Sequence, residues 1–264
     1  MAYLGGKSKS AEHIIDVLND PVFNDYDYIE PFCGYCHILR RVINKKSYTA
    51  SDNNNLLITL LKHNQKVKGE HPEITPEEYD KLRKNPKSNL LRAAYAAFCY
   101  SYNGKYFGGF VEKYGTRNYP AERKRYYDLL HDNKTFHDTK FKFTDYLTYH
   151  SEKGKLIYCD PPYDSTTEYH SSFNSESFWK EIRSLSRNNY VFVSEYKAPD
   201  DFICLAQKTK RTSLSGTGAT RKREEKLFVH KSKLTDPKIR ELLKTTKYAC
   251  KNKSLRRTKK NARS

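Results

Sequence analysis

The chain opens with two hydrophobic periods in alternation. The run "KSKSAEHIIDVLND" spaces its apolar positions as a helix does and stops at Asp20-Pro21, so a helix is predicted there. "DYDYIEPF" is a short apolar run between polar residues, the pattern of a buried strand. "HILRRVINK" returns to helical spacing, "SYTASD" reads as a second strand ending in an acid, and "NNLLITLLKHNQKV" is a strongly periodic helix. Strand, turn, helix, strand, acid, helix is the opening of an α/β unit with a parallel sheet.

Across residues 67–138 the pattern becomes helical throughout. "TPEEYDKLRKN" offers a Thr N-cap, Pro at the first helical position and acids in the first turn. "KSNLLRAAYAAFCYSY" and "YPAERKRYYDLLHDN" are further helices, and Asn103-Gly104 between them signals a hairpin or tight turn. The α/β alternation then resumes. "FKFTDYL", "KLIYCDPPYD" and "NYVFVSEY" carry strand patterns, and "SESFWKEIRSLSRN" is a helix with a Ser cap. "DFICLAQK" and "EKLFVH" are strands parted by the polar loop "RTSLSGTGATRKRE". Residues 244–264 form a basic tail almost free of bulky apolar side chains. The predicted organisation is a discontinuous α/β domain over 1–66 and 139–243, an inserted subdomain over 67–138 and the tail.

Composition adds a partner class. Hydrophobic residues are only 37% of the 264, but aromatics reach 14%, so much of the core must be aromatic. A formal charge of +18 points to a polyanion, nucleic acid before an anionic membrane surface. The start "MAYLGGKSKSAEHI" lacks the apolar core of a secretory signal, and no run approaches the ~18 apolar residues of a membrane span. These features predict an intracellular protein with its six cysteines reduced and no membrane partner.

Cys33-Gly34-Tyr35-Cys36-His37 matches the C-x-x-C-H pattern of c-type haem attachment and half of a zinc site. The only Met is the initiator, so the common distal haem ligand is missing, and no second Cys pair completes a zinc site. No metal is expected. The sharper chemical signal is Asp160-Pro161-Pro162-Tyr163, at the end of a predicted strand, where open α/β sheets place their ligands. The prolines stiffen the backbone and remove two N–H donors. A carboxylate, outward carbonyls and an aromatic face remain, a set suited to a planar amino group on a ring. A proline-stiffened strand end with a capping Asp is the plainer alternative.

With its flanking motifs, the chain resembles the Dam-type, alpha-class (D12) DNA adenine-N6 methyltransferases that use S-adenosylmethionine, from Tyr3 to about His230. The resemblance implies a Rossmann-like α/β sheet with helices on both faces and a mainly helical target-recognition insertion. "YLGGK" resembles the N-terminal cofactor motif and nominates Tyr3, Gly5 and Lys7. "EPFCG" nominates Glu30, Phe32 and Gly34, "SDNN" nominates Asp52 for the ribose hydroxyls, and "FTDYL" nominates Asp145 and Tyr146 beside the cofactor's adenine. Asp160, Pro161, Pro162 and Tyr163 would hold the target amino group, with Asp160 also facing the cofactor. The family loop is F-x-G-x-G or F-x-G-G; here it carries a single glycine, Gly34.

The implied partner is duplex DNA with a short recognition sequence, and the family also admits a cognate restriction endonuclease. Asn103, Lys105, Arg117, Arg123 and Arg125 are the expected readers of bases or phosphates, with Arg221 and Lys222 near a flipped base. Competing assignments are an amino-methyltransferase of RNA or cytosine N4, and a nucleic-acid-binding relative without catalysis.

Overall fold

The computed structural model describes residues 11–162, 173–213, 220–247 and 250. It is an α/β fold built on a seven-stranded mixed sheet of Rossmann-like type. The strands, in chain order, are β1 (Asp27–Glu30), β2 (Ser47–Asp52), β5 (Thr139–Phe143), β6 (Leu156–Cys159), β7 (Tyr190–Glu195), β8 (Phe202–Ser213) and β9 (Thr220–His230). A separate two-stranded ribbon pairs β3 (Lys113–Tyr114) with β4 (Arg117–Asn118). The sheet order is β5-β2-β1-β6-β7-β9-β8. Its chain divides into two compact units, one containing Asp27–Thr148 and the other containing Ser10–Tyr26 and the chain from Tyr149 onward.

In the first unit β1, β2 and β5 run parallel, with Tyr28 opposite Tyr48 and Asp52 opposite Phe143. Parallel pairing needs a crossover, and α2 (Asn55–Lys66) supplies one. Asn54 caps it by accepting the Leu57 N–H at 3.1 Å, and Leu56, Leu57, Ile58, Leu60 and Leu61 are buried. The inserted helices are α3 (Pro76–Lys84), α4 (Leu90–Cys99) and α5 (Tyr119–His131), followed by the single turn α6 (Lys134–His137). Thr75, Asn89 and Asn118 cap the first three with side-chain oxygens. Helix α4 is buried from Ala93 to Cys99, because runs of alanine let α2 and α3 approach it closely. Compactness groups the whole 67–138 insertion with β1, β2, β5 and α2.

In the second unit β6 and β7 are parallel, while β9 is antiparallel to β7 and β8 antiparallel to β9. Helix α1 (Glu12–Leu18) lies on β8, with a Glu12–Lys208 ion pair. Helix α7 (Ser175–Asn188) precedes β7, and α8 (Pro237–Thr245) closes the described chain. Among the described residues no helix is long and apolar enough to cross a membrane.

Four expectations change. "HILRRVINK" forms only a 3-10 turn over Leu39–Arg41; left-handed Cys36 and Asn44 (φ 59 and 58) bound the segment, leaving too little chain for a helix. The cap of α7 is Asn174, which accepts the Ser177 N–H at 2.9 Å, since the residue before the first apolar turn holds the cap geometry. The polar stretch between "DFICLAQK" and "EKLFVH" extends both strands, Lys208 pairing with Glu225 through to Ser213 with Thr220. Backbone pairing in a hairpin needs no apolar alternation once the register is set. Finally, Cys204 and Cys250 are joined as a disulfide, their Cα atoms 5.9 Å apart, where six thiols were expected; the fold brings β8 and the chain beyond α8 together. Cys33, Cys36, Cys99 and Cys159 are buried and outside any disulfide.

Candidate functional site

The turn after β1 folds back onto the end of β2. The Cys33 N–H donates to the Ser51 carbonyl at 2.9 Å, and the Ser51 hydroxyl donates to the Pro31 carbonyl at 3.4 Å. Gly34 follows with φ +47, and its N–H donates to Asp52 Oδ2 at 3.2 Å. That backbone conformation is costly for an L side chain, so a glycine stands there for a reason. A Cβ placed on Gly34 would meet no described residue within 4 Å.

Three strand ends each deliver a carboxylate. Asp52 ends β2 and accepts the Asn54 N–H on Oδ1 at 3.0 Å, opposite the Gly34 bond on Oδ2. Two backbone donors hold the group rigid. Its surface is half-buried, yet desolvation dominates and pushes its carboxyl up to about 6, against the lowering pull of the Asn54, Gly34 and Asn53 N–H groups. Glu30 ends β1, is 2% exposed, and accepts the Tyr28 hydroxyl at 2.6 Å. Asp145 lies in the turn after β5, exposed, with Oδ1 accepting the Leu147 N–H at 2.9 Å. The Thr144 N–H donates to the Asp52 carbonyl at 3.3 Å, which ties that turn to β2. Phe32 and Tyr146 face each other with ring centroids 5.3 Å apart at 31°. A fixed carboxylate, an aromatic pair, an exposed acid and a left-handed glycine suit an adenosine-like group. These residues fit the cofactor that the sequence pattern implies.

The structure also accounts for Tyr35 and Cys36, where the family pattern has glycine. Left-handed Gly34 and Cys36 flank Tyr35 and turn its ring away from the strand ends. The ring is 2% exposed, edge-on to Phe98 of α4 at 5.8 Å and under the Arg123 guanidinium at 4.9 Å. The Tyr126 hydroxyl donates to the Tyr35 carbonyl at 2.6 Å and lies 2.9 Å from His37 Nδ1. Burial, reinforced by Arg40 and Arg123, pulls the His37 imidazole down to about 3, so it is neutral. Neutral His37 can then donate from Nδ1 to the Tyr126 oxygen. Burial raises the Cys33 and Cys36 thiols, so neither is a thiolate at neutral pH. Among the described residues no group of three His, Cys, Asp or Glu could hold a metal.

In the second unit β6 is buried along its whole length, and Tyr158 pairs its hydroxyl with Ser194 Oγ of β7 at 2.9 Å. Asp160 follows the strand directly and is half-buried; Pro161 is buried and Pro162 half-buried. Tyr163 lies outside the described residues, as do Tyr3, Gly5 and Lys7.

The expected DNA readers separate by environment. Asn103 sits left-handed (φ 52) in the 3-10 turn Tyr102–Gly104, its Oδ1 accepting the Tyr119 hydroxyl at 3.4 Å. The turn lies in a loop closed by a bridge between Ser101 and Phe110. Lys105, next to it, is half-buried. Arg117 forks onto Glu122 at 3.0 and 2.8 Å and stacks on Tyr119 at 4.4 Å. Arg125 is exposed and donates to the Ala121 carbonyl of its own helix. Arg123 is not at the surface: it is 1% exposed, because its position on α5 turns inward onto Tyr35. Arg221 and Lys222 lie on β9, in register with Thr212 and Arg211. Sequence reasoning missed Tyr35, Tyr119 and Tyr126 as supports; an aromatic in a glycine's place was the one available signal.

The family of D12 class N6 adenine-specific DNA methyltransferases matches residues 3–247, almost the whole chain. The chain belongs to that family. It is accordingly an adenine-specific DNA methyltransferase, with DNA as the substrate class. No curated protein matches its sequence. Among solved structures it is similar to the rRNA methyltransferase aviRa from Streptomyces viridochromogenes, at 13% identity and a TM-score of 0.37, over 85% of this chain and 84% of that one. It is also similar to Precorrin-6y C5,15-methyltransferase from Geobacter metallireducens, at 5% identity and a TM-score of 0.35, over 84% and 89%.

Proposed function

We propose that this methyltransferase transfers a methyl group from S-adenosylmethionine to N6 of an adenine flipped out of duplex DNA, within a short recognition sequence. The observation that carries this is the Asp160-Pro161-Pro162 run directly after the buried strand β6, in a chain of the adenine-specific family. When bound, S-adenosylmethionine supplies a methyl group made electrophilic by a sulfonium. Asp52 would hold the ribose hydroxyls, Asp145 and Tyr146 would lie beside the adenine, and Phe32 would help wrap the cofactor. Glu30 and Gly34 shape the turn, and Tyr3, Gly5 and Lys7 contact the methionine part.

At the target, the Asp160 carboxylate and the Pro161 carbonyl each accept one hydrogen of the exocyclic amine. Both bonds draw its nitrogen towards a tetrahedral, more nucleophilic form. Tyr163 stacks on the extruded ring and Pro162 keeps the backbone rigid. The amine nitrogen would accept the methyl group, the cofactor leaving as its neutral thioether and one amine proton passing to solvent. No covalent enzyme intermediate is needed; the protein contributes placement and polarisation.

Asn103 offers its amide to an adenine edge, while Lys105, Arg117 and Arg125 serve bases or phosphates. The hairpin register opposes Lys210 to Arg223 and Arg211 to Lys222. Arg221 and Lys222 are the proposed phosphate contacts near the flipped base. The inserted segment 67–138 is the recognition subdomain, and the basic tail adds salt-sensitive affinity. A cognate restriction endonuclease is a natural partner for such an activity. Expression in a methylation-free host, with N6-methyladenine mapped across its genome, tests the reading. A single enriched short word is expected; an unmodified genome would overturn it.

A further inference from the structure

Arg123 is among the largest fully buried side chains of the described residues, and there its Nη1 and Nη2 have no hydrogen-bond partner. An arginine is seldom buried without acceptors, because the guanidinium leaves water at a large cost. Its surroundings indicate what it does there. One face lies on the Tyr35 ring at 4.9 Å. Its Nη2 presses on Gly104: a Cβ built on that glycine would come within 2.0 Å of it. Tyr35 itself donates its hydroxyl to the Gly104 carbonyl at 3.4 Å.

Tyr35 follows Gly34, whose N–H is bonded to Asp52. Gly104 follows Asn103, and both are left-handed, at φ 67 and 52. A continuous path of contacts thus runs from the proposed ribose acceptor to the proposed base reader: Asp52, Gly34, Tyr35, Arg123, Gly104, Asn103. All of it lies in one compact unit. Tyr35 occupies the place of a glycine, which could not have reached the recognition turn.

We infer that Tyr35 and Arg123 form a strut that couples cofactor binding to target binding. Both are positioning residues, and the inference rests on the cofactor and target sites proposed above. A ligand that fixes Asp52 and Gly34 fixes the base of the strut and so holds the Asn103 turn in its reading conformation. Among the described residues no acceptor anchors the guanidinium elsewhere, so its place is set by the Tyr35 ring and Gly104. By linkage, DNA must tighten the cofactor by the same factor that the cofactor tightens DNA.

The test uses S-adenosylhomocysteine and a duplex carrying the mapped word. Duplex affinity is measured with and without saturating S-adenosylhomocysteine, in wild type, Arg123→Met, Arg123→Lys and Tyr35→Leu. Wild type should show a ratio of about 5-fold or more. Arg123→Met should bring it close to one, with S-adenosylhomocysteine affinity in the absence of DNA within about 3-fold of wild type, well below the expected coupling. Arg123→Lys, which keeps the charge but loses the planar fork, should restore part of the ratio. Should Arg123→Met not fold, Tyr35→Leu carries the test through loss of the ring face and hydroxyl. A wild-type ratio in a folded variant of either position overturns the strut, as does a ratio of one in wild type. No binding of S-adenosylhomocysteine to wild type would instead overturn the cofactor reading, and the strut with it.

Discussion

The strand-end turns and the inserted helices hold their proposed functional groups in opposite ways. At the strand ends the backbone does the holding. Asp52 is fixed by the Gly34 and Asn54 N–H groups, and Asp160 is followed by two prolines. In the insertion, side chains hold the backbone. The Tyr102–Gly104 turn is steadied by Tyr35, Tyr119 and Arg123, and Arg117 is held by Glu122. The comparison teaches a division of tolerance. Chemistry common to a whole family suits main-chain scaffolding, which most substitutions leave intact. Target reading suits side-chain scaffolding, which single substitutions can retune.

The sharpest way to break this comparison is Asp160→Ala. It should lower methyl transfer by on the order of 10²–10³-fold, by analogy with removal of one polarising group, while duplex affinity stays near wild type. Methyl-transfer and gel-shift assays would check it, and undiminished transfer would remove Asp160 from the chemistry. Next is Asp52→Ala, which should weaken S-adenosylhomocysteine by roughly 10–100-fold, the scale of losing hydrogen bonds to a charged acceptor. Because burial holds the Asp52 carboxyl at about 6, it is ionised above that pH and protonated below. Cofactor affinity should therefore fall as pH drops through about 6, and calorimetry should show this fall absent in the alanine variant.

Smaller effects belong to the insertion. Arg117→Gln should reduce the slope of log affinity against log salt by about one if Arg117 leaves Glu122 for a phosphate. An unchanged slope would mean that the Glu122 pair persists on DNA. Its effect on thermal stability should be slight, since a half-exposed pair contributes under about 1 kcal/mol. The smallest is Thr75→Ala, which removes the bond to the Glu78 N–H and should cost about 1 kcal/mol in denaturant unfolding. No change in target sequence should accompany it.

Much of this was legible in the chain. Strands β1, β2, β6 and β7 and helices α2 to α5 stand where hydrophobic period and capping residues put them, because those signals lie within one or two turns of sequence. The acids at strand ends were legible for the same reason. The length of the β8–β9 hairpin was not, since pairing between polar residues depends on register set elsewhere. The disulfide between Cys204 and Cys250 was equally hidden, because nothing local links positions 46 apart.

Arg123 shows the boundary most clearly. Helical "ERKRYY" reads as a basic face from composition, and Arg125 does lie exposed. Yet Arg123, two residues earlier, is buried against Tyr35. By itself the sequence determined the family, the order of the elements and the residue types available for the chemistry. Only the tertiary structure decided which cations meet solvent and what replaces the missing glycine. Burial is a property of long-range packing, and Tyr35 and Gly104, 69 residues apart, meet only once the helices close around them.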